Sequence, residues 1–78
     1  MPTPAEIDII LSTLNAAEVG SLESIAAKMR EVKAGLERIE QPELAARADE
    51  VLGALGRGDV SEFKRGKAFL QSKVGHLR

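Results

Sequence analysis

Apolar residues at Leu22, Ile25, Met29, Val32, Leu36 and Ile39 recur in alternating steps of three and four. This heptad seam, held for nearly three repeats, puts six side chains on one narrow stripe of a helix. The spacing predicts a helix over 22–41. Ser21 can cap it, and Pro42 disfavours helical geometry in the residue before it. Upstream, Ile7, Ile10, Leu11, Leu14 and Ala17 predict a helix over 4–18. Its start is marked by Thr3-Pro4-Ala5-Glu6, where Thr3 can cap, Pro4 suits the first helical position and Glu6 can close a capping box. Its end is expected near Val19, with Gly20 as a left-handed cap.

Downstream, Leu44, Ala48, Val51, Leu52 and Leu55 predict a third helix over 43–55, opened by Pro42 and ended by Gly56-Arg57-Gly58. Asp59-Val60-Ser61-Glu62 repeats the capping pattern and opens a fourth over 60–77, with Val60, Phe63, Leu70, Val74 and Leu77 on one face. No Asn-Gly or Asp-Gly pair joins alternating runs, so no hairpin is expected. The fold class is therefore all-α, a compact bundle of about four helices forming a single domain over 1–78. The short links make sequential helices antiparallel neighbours. Gly35, Gly53 and Gly66 fall inside these helices, each costing about 1 kcal/mol against alanine. They mark either close helix approach or tolerated surface positions.

Composition narrows how such a bundle is held together. A chain of 78 residues buries only roughly 60–65% of its unfolded surface. Without cysteine it has no disulfide and no thiolate ligand for zinc. Good helix packing or a second copy of the chain must serve instead. There is no Trp or Tyr and only two Phe, so the core is aliphatic. No apolar run approaches the roughly 20 residues that span a bilayer. No basic start precedes an apolar segment, so no signal peptide is expected and the location expected is cytoplasmic.

The net charge of −1 hides an asymmetry. Residues 1–31 carry five acids and two bases; residues 59–78 carry two acids and five bases. The two regions can attract each other within the fold or across a dimer. Alternatively the basic end, with Lys64, Arg65, Lys67, Lys73 and Arg78, is a patch for nucleic acid or an acidic partner. Those bases are spread around the last helix, which weighs against nucleic acid.

Catalytic chemistry is hard to assemble here. The one histidine, His76, stands two residues from the end, with no acid within a helical turn. The carboxylates avoid the apolar faces, where burial could raise a pKa. Gly56-Arg57-Gly58 lacks the flanking strand and the Lys-Ser/Thr of a phosphate loop. No enzyme activity, metal or cofactor is expected.

One stretch resembles the signature of histidine phosphotransfer domains. In that frame Val32 and Lys33 stand at the aliphatic and lysine positions, and Ile39 at the later aliphatic one. Arg30 stands where the phosphorylated histidine would be, and Ala34 and Glu40 replace glycines. The resemblance covers about 15 positions. It implies a histidine-less version that docks on a signalling partner and carries no phosphate.

Two apolar residues remain off the main stripes. At about 100° per residue, Ile9 lies away from the face of Ile7, Ile10 and Leu14, and Phe69 away from that of Phe63 and Leu70. Arg65 and His76 flank Phe69 on its helix. An aromatic beside an arginine is a common interface composition. Ile9, Arg65, Phe69 and His76 are therefore the expected partner surface of a small interaction or regulatory module, which pairs as a homodimer or with another protein.

Overall fold

The computed structural model describes residues 3–18 and 20–77. Four helices follow in chain order: α1 (Pro4–Ala16), α2 (Leu22–Arg38), α3 (Pro42–Arg57) and α4 (Val60–Gly75). Their starts follow from local side-chain chemistry. Thr3 Oγ1 accepts the Glu6 N–H at 3.2 Å, and Glu6 Oε1 accepts the Thr3 N–H in return at 3.5 Å. Ser21 Oγ accepts from Ser24 N–H, and Asp59 Oδ1 from Glu62 N–H, each at 3.1 Å. No side chain caps α3; Pro42 in its first turn simply removes one of the donors that would need a partner.

The helix ends differ from expectation by two or three residues; α4 stops at Gly75, short of 77, and the backbone of α2 and α3 shows how such ends are set. α2 stops at Arg38, short of 41, because Glu40 adopts a left-handed φ of 60°. Gln41 N–H then donates to Leu36 O at 2.9 Å and Glu40 N–H to Glu37 O at 3.1 Å. This paired closure ends the helix before Pro42 can. α3 runs through Gly56 to Arg57 and closes the same way, with Gly58 at φ 75° and Asp59 N–H on Ala54 O at 2.9 Å. α1 ends at Ala16, and the expected boundary at Val19 lies outside the described residues.

The helices close a ring in which α2 packs on α1 and α3, and α4 packs on α3 and α1. Along the ring's axis lie Met29, Val32 and Leu36 from the seam of α2, with Leu14, Leu70 and Val74, all fully buried. Ile7, Ile10, Ile39 and Phe63 complete the large side chains of this core. The buried face of α3 differs from the expected one. Ala45, Ala48, Val51 and Ala54 form its centre, while Leu44, Leu52 and Leu55 are only half-buried at its margins. Small side chains at the centre let α3 approach its neighbours. Glycine does the same twice: Gly35 and Gly66 are buried, whereas Gly53 is exposed. A Cβ on Gly35 would stand 3.0 Å from Ile10 Cγ1, and one on Gly66 would overlap Val51 Cγ2.

Leu22 and Val60 were expected in the core and are not there; they are 68% and 60% exposed. Each is the first residue of its helix. The apolar period places them on the inner stripe, but at that height the neighbouring helices have already ended or turned. No described helix is long and apolar enough to cross a membrane.

Candidate interaction surfaces

The expected surface residues part company in the structure. Phe69, 40% exposed, lines a groove of about 620 Å³ between α3 and α4. His76 and Leu77 stand along the same groove, with Leu44 and Arg47 opposite on α3. Arg47 Cζ sits 5.0 Å from the centre of the Phe69 ring and Lys73 Nζ 5.7 Å from it. Both are within cation–π range, so the aromatic face is already occupied by the chain's own cations. Arg47 also pairs with Glu50 at 3.2 Å. Arg65 lies one turn before Phe69, outside the groove, paired with Glu62 at 3.5 Å. Ile9, 63% exposed on α1, does not line the groove either. Of the four expected residues, the groove brings together Phe69 and His76. The neighbour that matters most, Arg47, comes from another helix, where sequence spacing along α4 gives no sign of it.

The basic patch is dispersed as well. Lys64 is exposed, Lys73 covers Phe69, and Arg78 lies outside the described residues. Lys67 is a correction: it is only 4% exposed and makes an ion pair with Glu18. It stands four residues after Phe63 and three before Leu70, in the buried column of α4. A charge in that column was the sequence signal that it needed a partner. Glu18, just past the end of α1, supplies one, and Gln71 Nε2 donates to Asn15 Oδ1 at 2.8 Å across the same α1–α4 junction.

The Lys67 ammonium, through its hydrogen bond and then its charge, holds the Glu18 carboxyl below its ordinary value of 4.5; Lys64 adds a smaller push in the same direction. A carboxylate with a lowered folded pKa stabilises the fold above its unfolded pKa, and that contribution drains as pH falls through the folded value. Melting temperature should therefore drop as pH falls below about 4.5, and Glu18→Gln should flatten this acid limb. Thermal melts of parent and variant across acidic pH test it; parallel curves would show that the pair contributes nothing to folding.

A second depression, of about 630 Å³, opens where α1 and α3 finish and α2 and α4 begin. Leu22, Ile25, Leu55, Val60 and Phe63 make its apolar part, and Lys64, Gln71 and the Glu18–Lys67 pair line the rest. The apolar period along the chain places Leu22 and Val60 in the core and so gives no sign of this surface. The signal available was positional, since both open their helices.

The stretch that resembles a phosphotransfer signature resolves into structural roles. Arg30 and Ala34 are exposed on α2, Val32 and Ile39 are core, and Lys33 Nζ pairs with Asp49 of α3 at 3.3 Å. Glu40 makes the left-handed turn that ends the helix. Among the described residues no three His, Cys, Asp or Glu side chains cluster to hold a metal. Comparison with models of protein families, with curated proteins and with solved structures finds no match to this chain. Among the described residues the fold is a small all-α four-helix bundle.

Proposed function

We propose that this chain is a small, non-catalytic interaction module that self-associates. The supporting observation is the pairing of Leu22 and Val60. A single exposed apolar side chain needs no explanation. Two of them, each at least 60% exposed, share one depression with Ile25, Leu55 and Phe63. Leaving them largely in water forgoes roughly 1–2 kcal/mol per side chain, a large share of the stability of so small a domain. A partner that covers them recovers it. The non-catalytic part of the reading rests on side-chain chemistry, with one histidine and no cysteine.

Sedimentation equilibrium across micromolar concentrations tests the proposal. The expected result is a reversible dimer whose melting temperature rises with protein concentration. A monomer mass throughout the range would overturn it.

A further inference from the structure

We infer that self-association runs through the Leu22–Val60 end of the bundle, two copies meeting about a two-fold axis that sets α2 of one against α4 of the other. This rests on the self-associating reading above and names its surface. Three apolar sites compete for the role. Phe69 is the least exposed of them, and Arg47 and Lys73 already cover its ring. Ile9 lines neither depression. Leu22 and Val60 are exposed together beside Ile25, Leu55 and Phe63.

The charge pattern of this end fits a second copy. The patch has two halves. On one side lie Leu22 and the exposed Glu18, with the exposed Glu23 beside Leu22 just outside the lining; on the other, from α4, lie Val60 and, one turn on, the exposed Lys64, with Lys67 buried beneath. A two-fold axis between Leu22 and Val60 exchanges the halves, because in such an interface each residue meets its counterpart's partner. Leu22 then packs on Val60 of the other copy, and Glu23 faces Lys64 of the other copy, twice over. Acid then meets base at both edges. The size of the face sets the strength. The bundle's two shorter dimensions are only 22 and 18 Å, which leaves little room for the roughly 800 Å² per partner of a standard stable interface. The dimer is accordingly weak and reversible.

Sedimentation equilibrium on surface variants tests this, with the melt of each variant at high dilution as the check on folding. Leu22→Glu and Val60→Glu should each weaken the dimer by about a hundredfold or more, since each change acts twice in the dimer. Glu23→Lys and Lys64→Glu should each weaken it by roughly three- to tenfold, the range of exposed ion pairs. Combining the two reversals in one chain should restore the parent affinity. A parent dimer that survives Leu22→Glu and Val60→Glu but is lost in Phe69→Glu would overturn this interface and leave self-association standing. Failure of the combined reversal to restore affinity would overturn the two-fold pairing. A monomeric parent would remove both.

Discussion

Met29→Asp and Val32→Asp are each expected to unfold the chain. Both side chains are fully buried at the middle of α2, the helix that packs on α1 and α3. The surrounding core is built of apolar side chains such as Leu14, Leu36 and Leu70, which offer no hydrogen bond to a carboxylate. Burying such a group costs several kcal/mol even after it takes up a proton. At roughly 0.05–0.15 kcal/mol per residue, a chain of 78 residues has about 4–12 kcal/mol in total, and small domains lie toward the low end. The penalty is therefore comparable to the whole stability. Met29→Leu, which keeps volume and polarity, should cost under about 1.5 kcal/mol and serves as the control. Far-UV circular dichroism at low temperature checks the outcome. A parent-like spectrum and melt for either aspartate variant would show that the α2 seam does not form the core.

The helices and the central seam were legible in the sequence because they depend on local facts. Thr3, Ser21 and Asp59 satisfy the first amides of their helices through neighbours within three residues, and a period of three and four fixes which face points inward. Period gives an angle, however, and not the length of the neighbouring helix. Leu22 and Val60 have the inward angle and still face water, because they stand where the other helices end. The turn at Glu40 was hidden for a different reason. A left-handed φ on a glutamate goes against residue preference, and only the closure onto Leu36 and Glu37 accounts for it. Lys67 and Arg47 share a third reason: their partners Glu18 and Phe69 lie far along the chain on other elements. What a charged residue does when its partner is remote depends on packing, and each of these two lines one of the depressions, Arg47 the groove of Phe69 and Lys67 that of Leu22 and Val60.

Glycines at the helix contacts give the second large effect, with a sign that propensity alone gets wrong. In a helix interior, glycine to alanine ordinarily gains about 1 kcal/mol. Gly53→Ala should show that gain, since its new methyl would meet only Arg57 Nη1, at 3.3 Å and at the far end of a flexible side chain. Gly66→Ala should instead destabilise. Its methyl would overlap Val51 Cγ2, and Val51 is 2% exposed with one strongly preferred rotamer in a helix. Neither valine rotation nor solvent offers an escape, so α3 and α4 must separate. Overpacking of this kind costs typically 1–3 kcal/mol, which exceeds the propensity gain. Val51→Ala alone should also destabilise, by leaving a cavity. In the double variant the new methyl fills part of that cavity and the clash is gone. The pair should then be less damaging than the sum of its singles by about 1–2 kcal/mol, within the range of coupling for residues in contact. Urea unfolding of the four chains of this cycle measures the coupling directly. Additive losses would mean that Gly66 and Val51 do not touch and that something other than close approach keeps a glycine in the middle of α4.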